Sequence, residues 1–217
     1  MKKYQNTLIF SILPAMILNI LYIHLIIEYK NISDYFIMII AFLSLITISY
    51  FAYKNKKQLN IPILIMKMIF YIYVFQLFYL LFLSPYYQRD IKLIINNNYL
   101  QSLAYHLQYD TNLIPFQTIK RMLTLCYYDQ YRYFAIINLL GNLLAFAFFG
   151  LFIPILYPKF RKTYRFVFLI GAIIFFVEIF QFLTLCGSMD IDDFILNFFG
   201  ALLLYYPINA FIHYLKK

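Results

Sequence analysis

The sequence predicts an all-α fold, a polytopic membrane bundle of about six transmembrane helices with both termini in the cytoplasm, and three observations predict it. Of 217 residues, 64% are hydrophobic, 22% aromatic and only 12% charged, with a mean hydropathy of +0.74; an ordinary soluble domain is excluded. Apolar runs of the roughly 20 residues needed to cross a bilayer recur along the chain. Lysine and arginine are sorted onto alternate connections between those runs.

The predicted spans are 7–27, 35–53, 61–83, 133–157, 166–185 and 194–215. Lys2 and Lys3 before the first run resemble the start of a secretory signal, but the run is longer than a signal core and lacks a small-residue cleavage site, so it reads as a span. The third span is interrupted by Lys67, whose stem can carry its ammonium to the headgroups from within two turns of an end. Residues 1–60 form an N-terminal helix pair, and 61–217 a membrane domain with a long extracytoplasmic segment at 84–132.

A net charge of +9 would point to nucleic acid in a soluble protein; here no nucleic acid partner is expected, because orientation accounts for the charge. The N-terminus, the 54–60 loop, Lys67, the 158–165 loop and the C-terminal tail hold 12 of the 18 basic residues. The positive-inside rule places these in the cytoplasm and the acidic 187–193 hinge outside. A connection as long as 84–132 should carry structure. Tyr99, Leu100, Leu103, Tyr105 and Leu107 suit an interfacial or re-entrant helix, and Tyr127, Tyr128, Tyr131 and Tyr133 an aromatic belt. Cys126 and Cys186 both fall on the outer side, where a disulfide is conceivable and two free thiols are the simpler expectation.

Chemistry concentrates at that outer end. Asp190, Asp192 and Asp193 crowd the hinge between the last two spans. Asn138 and Asn142 lie four apart, with Gly141 between them and Ala145 below, so one helical face is small and polar. Glu178 and Gln181 share a face of the next span, continued by Gly171 and Ile174. Asp193, Asn197, Gly200 and Leu204 share a face of the last. At a rise of about 1.5 Å per residue, Asn138 and Asn142 lie roughly 8 and 13 Å deep, and Gln181 and Glu178 roughly 6 and 10 Å. The depths match, which predicts one outer-half polar cavity. Amides and small residues also serve as packing glue between membrane helices, and Asp192 or Asp193 would cap the last helix. Neither role accounts for Glu178, whose charged form costs about 2.5–3.5 kcal/mol at a helix centre.

Asn112-Leu-Ile-Pro-Phe116 with Thr118 and Ile119, Asn138-Leu-Leu-Gly-Asn142 with Phe146, Gly150 and Pro154, Glu178-Ile-Phe-Gln181, and Asp190-Ile-Asp-Asp193 with Asn197 and Gly200 occur in this order. Together they resemble the VanZ-like family of bacterial membrane proteins, over roughly 71–206. The chain departs from that pattern at Gly187-Ser188-Met189, where members often carry an arginine, and at Phe148, where they often carry a proline. The resemblance implies a cell-envelope protein whose founding member is associated with antibiotic resistance to the glycopeptide teicoplanin; it does not imply a reaction.

Two functions are open at this level. In the first, the protein binds a lipid, a glycopeptide-type amphiphile or a membrane partner through Asn112, Asn138, Asn142, Glu178, Gln181, Asp190, Asp192, Asp193 and Asn197, and modulates susceptibility to surface-acting agents. In the second it is an enzyme acting on a lipid-linked envelope precursor. There Asp190, Asp192 and Asp193 would hold a divalent cation, Mg or Ca, and Glu178, Asp192 and Asp193 are the catalytic candidates. A transporter is disfavoured, since its site would sit near the midplane. Zinc is not expected, because His106 and His213 lack partners at ligand spacing.

Overall fold

A computed structural model describes residues 61–84 and 98–215. Among these the structure is helical, with no strand and one isolated parallel bridge between Asn112 and Asp190. In chain order come α1 (Ile61–Phe82), α2 (Tyr99–Tyr109), α3 (Gln117–Leu125), α4 (Asp129–Ala145) and α5 (Ala147–Leu156). A 3₁₀ turn at Pro158–Arg161 then leads to α6 (Thr163–Leu183) and α7 (Ile191–Tyr214). The predicted spans at 7–27 and 35–53, and the 54–60 loop, lie outside the described residues. The chain divides into two compact units, Met1–Phe75 and Gln76–Lys217, and the second holds α2 to α7.

Among the described residues three helical stretches are long and apolar enough to cross a membrane: Asp129–Leu156, Thr163–Leu183 and Ile191–Tyr214. They are the last three predicted spans, each beginning a few residues earlier than expected. The first of them is not one continuous helix. It breaks at Phe146, which is buried with φ −108° and ψ 0°, and restarts as α5. The 84–132 segment carries two short helices, α2, with no buried residue, and α3, which buries Thr118 and Met122. Tyr127, Tyr128, Tyr131 and Tyr133 are all exposed around the start of α4, as an aromatic belt requires.

Outward faces of the spans are as apolar as inward ones: Phe168, Phe176, Phe199 and Phe211 all expose more than half their surface. Such a surface is compatible with lipid as the solvent, and lipid provides no hydrophobic drive for helices to meet. Close packing and polar contacts must supply it. Phe166, Ile170 and Ile174 form a fully buried stripe on α6 at four-residue spacing. Phe166 stacks on Tyr205 of α7 with ring centroids 4.0 Å apart. At the same end the Tyr205 hydroxyl donates to the Arg161 carbonyl at 2.9 Å and the Asn209 amide donates to that carbonyl at 3.0 Å, fixing the 3₁₀ turn.

Glycines decide how close α7 comes to α4 and α5. A Cβ at Gly150 would run into the Ala201 carbonyl and lie 2.7 Å from the Tyr205 nitrogen, and one at Gly200 would run into the Leu143 carbonyl. Gly141 was expected to contribute to a small packed face; it is instead exposed, with nothing within 4 Å of where its Cβ would stand. Its position in the sequence is helical like the others, but it looks away from α7.

These contacts set a contrast. Gly150→Ala and Gly200→Ala force backbone apart and are expected to cost about 3 kcal/mol or more, the upper end for overpacking. Gly141→Ala adds a better helix former in open space and should stabilise by about 1 kcal/mol. Thermal unfolding of the three purified variants in detergent checks the sign of each; equal losses at all three would refute the packing assignment.

Candidate functional site: a carboxylate latch and buried polar side chains

The chain approaches α3 through Asn112, whose Oδ1 accepts the Ile114 N–H at 3.1 Å in a side-chain-closed turn. Pro115 follows, and then Phe116 in the left-handed region at φ 67°, a conformation that costs an L-residue roughly 1–2 kcal/mol. Helix α3 opens immediately afterwards. Its first N–H groups need acceptors, and its capping position is held by Phe116, which has none to offer.

Asp192 supplies them from the other side of the hinge. Its Oδ1 accepts the Phe116 N–H, and its Oδ2 accepts the N–H groups of Thr118 and Ile119 at 2.7 and 3.0 Å. The residue is completely buried. Asp190 works beside it. Its Oδ1 accepts the Asp192 N–H at 2.8 Å, capping α7, and the Asn112 amide at 2.9 Å; its Oδ2 accepts the Thr118 hydroxyl at 2.6 Å. The two strands of this junction are also joined through the backbone, Asn112 N–H to the Met189 carbonyl and Ile191 N–H to the Asn112 carbonyl, each 2.9 Å. Neither carboxylate has a lysine or arginine partner among the described residues. Backbone N–H groups and the positive ends of α3 and α7 balance them instead. Arg132 is engaged elsewhere, with Asp129 at 2.8 Å and with the Cys126 carbonyl at 2.9 Å.

The third acid belongs to a different group. Asp193 Oδ1 accepts the Asn142 amide, tying α7 to α4. One turn deeper, Asn197 is buried and its Oδ1 has no hydrogen-bond partner; on α4, Asn138 Oδ1 is likewise buried without one. Glu178 is also buried. Phe166 against Tyr205 and Gly171 against Phe198 set an antiparallel register between α6 and α7. Carried two turns further, that register brings Glu178 level with the first turn of α7. Asn138, Asn142, Glu178, Asp193 and Asn197 therefore occupy one end of the α4–α6–α7 bundle, the end the latch closes.

Gln181 does not join them. Its amide donates to the Leu81 carbonyl at 3.2 Å, and the nearby Cys186 thiol donates to the Phe82 carbonyl at 3.5 Å, so both hold the last turn of α1. Cys126 and Cys186 are both free. The α6 helix ends with the Cys186 N–H on the Gln181 carbonyl at 2.9 Å and the Leu185 N–H on the Phe182 carbonyl at 3.1 Å. This doubled closure normally takes glycine at the left-handed position; here Leu185 occupies it at φ 56°.

The expected cation site does not assemble. Among the described residues no three His, Cys, Asp or Glu side chains are grouped so as to hold a metal ion. Asp190 and Asp192 turn their oxygens to N–H and O–H donors, so the set of Asp190, Asp192 and Asp193 offers no shell for Mg or Ca. Sequence reasoning also left Thr118 out of the site, although its six-residue spacing from Asn112, just past Pro115-Phe116, was the available signal.

Fold and site together define a helical membrane protein with a polar cluster sealed at one end of its bundle. The VanZ/LLP1 family model matches residues 70–212, and the chain belongs to that family. No curated protein matches it, and no solved structure does.

The latch makes its own prediction. Asp192→Asn turns an amide donor toward backbone N–H groups and removes the charge that strengthens their bonds, for an expected loss of about 3 kcal/mol. Asp193→Asn, which keeps an acceptor for Asn142, should be far milder. Melting temperature and yield in the membrane fraction distinguish them; an Asp192→Asn protein as stable as wild type would remove the latch.

Proposed function

We propose that this chain is a multi-pass protein of the bacterial cytoplasmic membrane. In this reading it binds a lipid, amphiphile or membrane partner in an outer-half polar chamber and thereby alters susceptibility to glycopeptides or other surface-acting agents. The single observation that carries the reading is that two amide oxygens toward this end of the bundle, on Asn138 and Asn197, are buried without a hydrogen-bond partner. Two acceptors there stand without a donor from the chain. A headgroup bearing N–H groups, above all a primary ammonium, supplies what is missing. Its placement toward the outer leaflet rests on the lysine and arginine asymmetry of the loops, and its bearing on glycopeptides on the VanZ/LLP1 membership.

Discrimination between two zwitterionic lipids tests the chemistry. Phosphatidylethanolamine offers three ammonium N–H donors and phosphatidylcholine none, so native mass spectrometry of the full chain in mixed vesicles should show roughly a tenfold preference for the former, the equivalent of one charge-assisted hydrogen bond. Asn197→Ala and Asp193→Asn should abolish the preference. The same variants, at wild-type membrane level, should no longer raise the teicoplanin concentration that inhibits an expressing strain. Equal binding of the two lipids by wild type would overturn the donor argument.

A further inference from the structure

Helix α2 lies outside both polar groups already described, and one of its faces is chemically distinct. Asn98, Gln101, Ser102, Tyr105 and His106 recur at three- and four-residue spacing and, with Asp110, line an open groove of about 500 Å³. Leu185, in the left-handed turn that ends α6, forms part of the groove. The opposite face of α2 is apolar, with Leu100 and Leu107 exposed, as an interfacial helix requires. The groove is held in shape. The Tyr99 hydroxyl donates to the Leu183 carbonyl at 2.8 Å at one end of α2. At the other, the Asp110 N–H and the Thr111 hydroxyl donate to the His106 carbonyl at 3.0 and 3.2 Å. His106 Nδ1 is bonded to the Asp110 carboxylate, and its ring lies 6.4 Å from that of Phe182.

Elimination narrows the ligand. Among its described lining residues this groove has no lysine or arginine, so a phosphate or carboxylate finds no cation among them. Its one carboxylate is engaged by His106, and no three-ligand metal cluster exists among the described residues. What the lining does offer is neutral hydrogen-bonding capacity. The Gln101 amide presents donor and acceptor side by side, and the Ser102 and Tyr105 hydroxyls do both. Next to them the exposed rings of Tyr105 and Tyr109, centroids 4.6 Å apart, form an apolar platform. Adjacent ring hydroxyls with a C–H face are the complement of such a surface. The volume falls within the range of small-molecule sites.

We infer that the α2 groove is a saccharide-binding site at the same end of the bundle as the acidic hinge, accepting the sugar of a glycolipid headgroup or a free saccharide. The inference does not depend on the ammonium-lipid reading, since no residue is shared between the two.

The test uses the full chain in phosphatidylcholine nanodiscs, free of sugar detergents. Saturation-transfer NMR with N-acetylglucosamine, glucose and maltose examines free sugars; nanodiscs doped with monoglucosyl diacylglycerol examine the lipid source by native mass spectrometry. Saturable binding of at least one probe is expected. Gln101→Ala and Tyr105→Ala, both at exposed positions, should weaken it at least tenfold with melting temperature unchanged. Binding of the free sugars assigns a soluble source, and binding of the glycolipid alone a membrane source. No saturable binding of any probe, or binding untouched by both substitutions, would overturn the assignment, as would a preference for phosphatidylglycerol over the sugar probes.

Discussion

Asp192 gives both carboxylate oxygens to a helix on which it does not lie. Three backbone N–H groups from Phe116, Thr118 and Ile119 converge on one buried side chain. Hydrogen bonds to a charged acceptor contribute about 1.5–3 kcal/mol each, more than the roughly 1–2 kcal/mol that the left-handed Phe116 costs. The balance explains how a bulky residue can open α3 in a conformation it would otherwise avoid. It also makes the 112–125 segment and α7 a single unit. Asp190 caps α7 while holding Asn112 and Thr118, so the first turn of one helix and the first turn of the other share a hydrogen-bond network. Rotating α7 by one residue would break each contact that crosses from it to residues 112–119.

With α7 fixed at that end, its descent is governed by glycine. Lipid does not drive helices together, so the depth of their contact is set by what allows approach. Gly200 meets the Leu143 carbonyl and Gly150 receives Ala201 and Tyr205, which draws α7 onto α4 and α5 below the level of Asn142. The polar side chains sit above this seam, where α6 contributes Glu178 at the top of its apolar stripe. The glycine contacts below and the latch beside them hold this end of α7, and Asn142 to Asp193 is the cross-link between α4 and α7 there.

Much of this was legible in the sequence. Apolar runs of about 20 residues gave α6 and α7 to within a few positions, and the spacing of Asn138 with Asn142 and of Asp193 with Asn197 gave the faces they share. Other features left no trace that side-chain types could carry. A carboxylate bonded to backbone N–H groups looks, in sequence, like a carboxylate free to bind a cation, because toward Asp192 positions 116, 118 and 119 contribute only main chain. For the same reason Asp192 read as a cap for its own helix when it caps another, and Asp190 is the true cap of α7. Gly141, Gly150 and Gly200 are alike in sequence; only the element each one faces separates an open position from a contact no Cβ can enter. Gln181 shares a helical face with Glu178, but three residues of rise and the arrival of α1 give it a different partner.

The contrast between the two polar groups bears on function more than either alone. Within the latch, every carboxylate oxygen has a donor. A few residues away, two buried amide oxygens have none, and leaving such a group unsatisfied costs about 1–3 kcal/mol. Selection for stability alone would replace Asn197 with an aliphatic residue of similar volume, which the neighbouring apolar stripe of Phe166, Ile170 and Ile174 shows the bundle can accommodate. Retaining the amide sacrifices stability at a position where the latch and the glycine seam hold the backbone firmly enough to tolerate it. Under the proposed reading, an unfilled acceptor on a backbone held this firmly is pre-organised for a donor that arrives from outside the chain, and a ligand bound there would recover the cost that folding left standing.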